Sequence, residues 1–196
     1  MNSELHCRYL HAPTFDEYLD AARANQALWR AIADRVHVPD EYVERVSAHP
    51  GSWHLLVLSE DWCGDAVNTV PVIARLAELA PNLDCRILGR DANPDLMDTH
   101  LTGGTSRSIP IAILLDDHYD EHGWWGPRPR PLQQWVLSEG RALPKPDRYR
   151  ETRRWYARDR GLTTLEEVVG MVEASSARLL RDEERVGQWV SGSEKA

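Results

Sequence analysis

Trp53-His54-Leu55-Leu56-Val57-Leu58-Ser59-Glu60-Asp61-Trp62-Cys63-Gly64-Asp65-Ala66 decides the fold. The first six residues form a short, nearly continuous apolar run, the pattern of a strand covered on both faces of a sheet. The run breaks into acids, a tryptophan, a cysteine and a glycine. Beyond it Ala66, Val70, Ile73, Ala77 and Ala80 recur at intervals of four and three around Pro71, giving the apolar face of a helix that stops at Pro81-Asn82. Cys63 therefore falls at the junction of a strand and a helix.

Downstream, Leu83 to Arg90 alternates and is apolar enough for a second strand, and Asn93-Pro94 reads as a cap followed by proline at the first helical position. Strand, helix, strand at these lengths is a βαβ unit, whose right-handed crossover makes the two strands parallel. After Thr102-Gly103-Gly104-Thr105 come Ser108-Ile109-Pro110 and the apolar run IAILLDD, with HYDEHGWW as the return strand of a hairpin turning at Asp116-Asp117.

Upstream, residues 14 to 36 read as helical, opened by a Thr14 to Glu17 capping box, and a short helix follows Pro39. The far end is also helical: a segment around Leu132 to Ser138, then Tyr149 to Arg160, then Thr164 to about Arg185 with a second capping pattern, Thr164 to Glu167. The last six residues, SGSEKA, are expected to fray. The domain reading is an N-terminal helical extension over 1–49, a central domain over 50–140, and a C-terminal helical extension over 141–196 packed on that domain.

Composition narrows the function classes. The chain has 196 residues, 42% of them hydrophobic and 28% charged, as expected of a globular protein. A formal net charge of -8 lacks the summed positive field that gives nucleic-acid binders their affinity, so no nucleic-acid partner is expected. No segment approaches the about 18 consecutive apolar residues of a membrane span, and the N-terminus has no basic start followed by an apolar stretch. The expectation is a cytoplasmic protein that does not engage a membrane. Three cysteines, Cys7, Cys63 and Cys85, are too few and odd in number for a disulfide framework.

The order strand, Trp62-Cys63-Gly64-x-x, helix containing Pro71, strand, helix, then Ile109-Pro110 entering an antiparallel hairpin resembles the thioredoxin superfamily over about residues 50 to 140. The helices before residue 50 and after residue 140 lie outside that resemblance. It implies an α/β fold: a thioredoxin-like three-layer α/β/α sandwich on a mixed four-stranded sheet with a central parallel βαβ unit and a C-terminal β-hairpin, extra helices lying at both termini. It also implies that Pro110 is cis and lies against the cysteine, and that the backbone before it pairs with an extended substrate, a form of strand addition. The chain departs from the pattern at Asp65, where thioredoxins often carry proline, and at Ala66, where dithiol members carry a second cysteine. It looks closest to a bacterial branch with a Cys-Gly-Asp-Ala motif.

The chemistry can be argued from the residues themselves. Free N–H groups and the positive end of the helix dipole favour a thiolate at Cys63. Glu60, Asp61 and Asp65 oppose it by repulsion. Asp65 could compete for the same N–H groups or shuttle a proton. Without a cysteine at 66, a mixed disulfide at Cys63 would have to be resolved by an outside thiol. Cys85 falls early in its strand, roughly 10 Å or more below the active edge, and a disulfide needs Cα atoms within about 7 Å; it reads as a core thiol, while Cys7 has no clear place.

Two functional readings follow. The first is a monothiol thiol-disulfide oxidoreductase with Cys63 as nucleophile and Trp62, Gly64, Asp65, Ile109 and Pro110 as the substrate-binding set. It needs no resident cofactor and no metal; glutathione or another small thiol is the co-substrate, and the partners are protein or small-molecule thiols and disulfides. The second is a redox-inactive peptide-binding or scaffold protein that keeps the groove. Arg128 and Arg130 read either as surface charges or as groups that approach the acidic motif. The segment RETRRWYARDR reads as a solvated helix face with Trp155 and Tyr156 partly packed.

Overall fold

The computed structural model describes residues 3–193. In chain order the elements are α1 (Ser3–His11), α2 (Phe15–Ala21), α3 (Gln26–Ala33), α4 (Asp40–Ser47), β1 (Trp53–Ser59), α5 (Ala66–Leu79), β2 (Leu83–Gly89) and α6 (Pro94–Asp98). There follow β3 (Ile111–Leu115), β4 (Glu121–Trp125), α7 (Arg130–Leu137), α8 (Glu139–Ala142), α9 (Lys145–Asp159) and α10 (Leu162–Ser193).

The four strands form one mixed sheet in the order β2-β1-β3-β4. β1 and β2 are parallel, with Leu55 opposite Cys85 and Ser59 opposite Gly89. β3 is antiparallel to β1 and to β4. The apolar runs at 53–58 and 111–115 thus occupy the two central places. Leu55, Leu56, Val57 and Leu58 of β1 and all of Ile111 to Leu115 are buried, because helices cover both faces of the sheet. The expected three-layer α/β architecture is what the chain adopts.

The chain before α2 runs along the β2 edge and masks part of the pairing surface an open edge presents. Beside β2, the Ile87 amide donates to the carbonyl of Pro13 at 2.9 Å. Beside β4, the Trp125 indole N–H donates to Glu167 of α10 at 2.6 Å. Adjacent strand residues face opposite ways, so Trp125 is buried under α10 while Trp124 sets its ring against His100, 6.0 Å between centroids. α10 also packs on α4 and α5, and Arg45 of α4 reaches Glu173 and Glu166 of α10 at 2.8 and 2.7 Å.

Several local expectations are corrected. Residues 14 to 36 hold two helices rather than one: Ala22 is extended, Asn25 is left-handed at φ 56, and the amides of Arg23 and Ala24 turn out of the helix toward Asp61. The Thr14–Glu17 capping box is present. The Thr164–Glu167 one is not, because α10 starts two residues earlier. Asp159 caps that start by accepting from the Thr163 amide at 3.2 Å, while Glu167 is engaged with Trp125 and Arg130. Asn93 makes no side-chain cap; its amide donates to the Gly89 carbonyl at 2.8 Å. The C-terminal helix runs through Ser193 rather than fraying at 191, and the rest of the expected frayed end, 194–196, lies outside the described residues. No described helix is long and apolar enough to cross a membrane.

Candidate functional site

Cys63 sits where β1 ends and α5 begins, with its amide donating to the Glu60 carbonyl at 3.1 Å and its carbonyl accepting from the Val67 amide at 3.1 Å. Its side chain is only 7% exposed. The Sγ lies 3.5 Å from the carbonyl oxygen of Ile109, to which the thiol donates. The Ile109–Pro110 bond is cis. Gly126 fits against this loop because a β-carbon there would stand 2.2 Å from the Pro110 carbonyl oxygen, and its φ of +135 suits glycine.

Opposed influences act on the thiol. Burial pushes its pKa up and is the largest of them; the amides of Ala66 and Asp65 at the helix start pull it down, the Asp65 carboxylate pushes it up and Arg128 pulls it down. Burial prevails, so the resting group is a neutral thiol more firmly protonated than a free cysteine.

The three acids around Cys63 have separate roles. Glu60 Oε1 accepts from the Asp91 amide at 2.8 Å, tying the end of β1 to the turn after β2. Asp61 Oδ2 accepts from the amides of Arg23 and Ala24 at 2.7 and 2.9 Å, and its carbonyl accepts from the Trp29 indole at 2.9 Å. The N-terminal helices are thereby clamped onto the Cys63 loop. Asp65 alone stays in the field of the sulfur. It does not cap α5 with its side chain; its carboxylate takes Arg128 Nη2 at 2.6 Å and the Tyr156 hydroxyl at 3.0 Å. The helix-end amides are left to the sulfur, and the Asp65 charge is met by a guanidinium. Burial and the Asp65 carboxylate together push the Tyr156 phenol far above its ordinary pKa.

A cavity of about 620 Å³ opens over Cys63. Trp62, Gly64, Asp65 and Ile109 of the expected set line it with Cys63, whereas Pro110 is buried behind Ile109 and does not. Trp62 is half exposed and carries the Arg90 guanidinium 5.1 Å from its ring centroid. The opposite wall is α9, which contributes Arg148, Tyr149, Thr152, Arg153 and Tyr156. Sequence reasoning took this segment for a solvated face. The spacing 148, 149, 152, 153, 156 is one helical stripe with a threonine and two tyrosines among its charges, and that pattern was the signal to be found. Of the two arginines after Trp125, Arg128 approaches the motif as one reading held, and Arg130 is a surface charge.

The other candidate groups are engaged elsewhere. Cys85 is buried in β2 opposite Leu55, its thiol pushed up to about 12 by burial. Cys7 is exposed on α1, and all three cysteines are free. His122 Nε2 sits 2.8 Å from Asp116, which also accepts from the His118 amide. Among the described residues no cluster of His, Cys, Asp or Glu could hold a metal ion.

Comparison with known proteins agrees with this fold. The sequence model of the family described as Thioredoxin matches residues 12–149. The match begins inside the N-terminal helices and reaches α9, so it takes in elements that the motif resemblance left outside. Among solved structures, a protein of unknown function from Pseudomonas aeruginosa is similar at 18% identity, TM-score 0.68, over 89% of this chain and 98% of that one. An HIV epitope-scaffold gives the same identity and TM-score over 88% and 98%. At that identity the likeness bears on the fold alone. No curated protein matches the chain.

Proposed function

The chain belongs to the thioredoxin family, and on that premise we propose that it is a thiol-disulfide oxidoreductase working through one nucleophilic cysteine, Cys63, with an external thiol closing each cycle. The observation that carries the reading is the placement of Cys63 Sγ: at the start of α5, 3.5 Å from the Ile109 carbonyl, on a cavity large enough for a small disulfide or one strand of peptide. The Cys63 thiolate attacks a disulfide R–S–S–R, forming Cys63–S–S–R and expelling RS⁻. An outside thiolate R′S⁻ then attacks the R sulfur, releasing R–S–S–R′ and restoring the Cys63 thiolate. No second cysteine takes part, as Ala66 requires. A reducing compartment such as the cytoplasm would supply the outside thiol.

A raised thiol pKa is compatible with this chemistry. Each unit of increase lowers the thiolate fraction near neutral pH about tenfold but raises the intrinsic nucleophilicity of that thiolate by roughly threefold, for a net loss of only about three- to fourfold. The same property makes Cys63 a poor leaving group, so its mixed disulfide should persist. Trp62 and Ile109 form the walls along which the substrate lies, and Asp65, neutralised by Arg128, holds the loop in place.

The rival reading, a redox-silent binding protein, draws support from the protonated, buried resting thiol. Intact-mass analysis after treatment with oxidised glutathione separates the two. In a Cys7→Ser background, which removes the exposed thiol, the exchange reading predicts a single glutathione adduct that a further Cys63→Ser change abolishes and added reduced thiol removes; no adduct at Cys63 would leave the binding reading standing.

A further inference from the structure

The cavity over Cys63 carries an excess of cationic side chains on a protein whose net charge is -8. Five arginines line it, Arg90, Arg107, Arg128, Arg148 and Arg153, against one carboxylate, Asp65. Three of the five are neutralised: Arg128 by Asp65 at 2.6 Å, Arg90 by Asp91 at 2.6 Å, and Arg107 by Asp98 at 2.6 Å. The side chains of Arg148 and Arg153 have no ion pair or hydrogen bond among the described residues. Between them on the same stripe of α9 is Thr152, 9% exposed, whose hydroxyl also lacks a hydrogen-bond partner among the described residues. Neighbouring arginines of α9 that face away, Arg150 and Arg154, are paired with Asp147 and Glu151. Two guanidiniums without a protein partner, Arg148 partly buried and Arg153 exposed, and an unpaired hydroxyl on one wall form a set of donors of the kind that carboxylates satisfy with charge-assisted bonds.

We infer that the cavity is an anion site, and that the small thiol or disulfide serving Cys63 carries carboxylates held by Arg148 and Arg153 with Thr152 between them. The inference rests on the exchange reading and names its substrate class. A volume of about 620 Å³ suits a small molecule rather than a protein surface. The carboxylates grip α9 while the sulfur reaches Cys63 on the facing wall, and exchange proceeds with the balance given above. The acids beside Cys63 do not crowd such a ligand: Glu60 and Asp61 are turned to backbone amides outside the lining, and Asp65 is ion-paired.

The test uses three disulfides of similar size with different ends: dithiodipropionate (anionic), hydroxyethyl disulfide (neutral) and cystamine (cationic). Rates of adduct formation at Cys63 in a Cys7→Ser background are normalised to those of a neutral cysteine peptide. Alongside them, alkylation by iodoacetate is compared with iodoacetamide, a pair that needs no disulfide chemistry. The expected result is a normalised preference for the anionic reagent of about tenfold or more in both series. It should shrink severalfold in Arg148→Ser/Arg153→Ser and fall with added salt. Adducts without a charge preference, or a preference that survives in the double variant, would overturn the anion site and leave exchange standing. An anionic preference in alkylation with no disulfide adduct would keep the anion site but overturn a thiol as its ligand, and the exchange reading with it.

Discussion

Cys63 and Cys85 are equally hidden, each 7% exposed, yet the chain treats them differently. Cys85 lies within β2, opposite Leu55 and away from any helix start, and the Ile87 amide two residues on donates to Pro13. With only burial acting strongly on it, its thiol is pushed up to about 12. Cys63 lies one strand over and at the far end, where a helix begins. The amides of Ala66 and Asp65 oppose the burial and Arg128 offsets Asp65, so the thiol is raised without being silenced. Cys85 too borders a cavity, of about 680 Å³, so neither burial nor an adjoining cavity decides whether a cysteine is a core group or a reagent; free helix-end amides do.

The contrast can be broken in steps. The largest effect is all or none: oxidised glutathione should add one equivalent to Cys7→Ser/Cys85→Ala and nothing to Cys7→Ser/Cys63→Ser, read by intact mass. Next, in folded Cys7→Ser at pH 8, iodoacetamide should label Cys63 on the order of a hundredfold faster than Cys85, by peptide mapping, because burial with no opposing helix-end amide holds the Cys85 thiol protonated up to about pH 12. Asp65→Asn removes a charge that raises the Cys63 pKa and should speed Cys63 alkylation at neutral pH by roughly threefold to tenfold; Arg128→Gln removes one that lowers it and should slow the reaction by a similar factor.

The smallest effect concerns stability. Folded Cys85 holds its proton to about pH 12, while the unfolded thiol loses it near 8.5. Its contribution is complete below the unfolded pKa and is lost as pH rises toward the folded one. Between pH 9 and 10, before tyrosines titrate, Cys85 should by itself lower the stability read by urea denaturation by up to about 1.4 kcal/mol per pH unit. The slope should be shallower in Cys85→Ala.

The sheet was legible because its signals are local. Continuous apolar runs marked β1 and β3, alternation marked β2, and the paired apolar segments around Asp116-Asp117 marked the hairpin. Trp62, Cys63, Gly64 and Asp65 were read together because strand, motif and helix follow one another in sequence; Ile109, which lines the same cavity, came from the family resemblance. The settings of Glu60, Asp61 and Asp65 were not, since each is fixed by a partner far along the chain: Asp91, the 23–24 amides, and Arg128 with Tyr156. The break at Ala22–Asn25 escaped for the same reason, being imposed by the Asp61 carboxylate. The arginines of α9 look like ordinary surface charges until the helix is placed across from Cys63.

The pH dependence of Cys63 alkylation in Cys7→Ser/Cys85→Ala tests the central claim most directly. The account predicts a single titration with its midpoint above the ordinary thiol range, near neutral pH a slow but measurable rate, and glutathione adduct formation rising along the same curve. A midpoint well below that range would mean that the helix-end amides, not burial, govern the sulfur. Alkylation without adduct formation at any pH would contradict the proposed exchange chemistry.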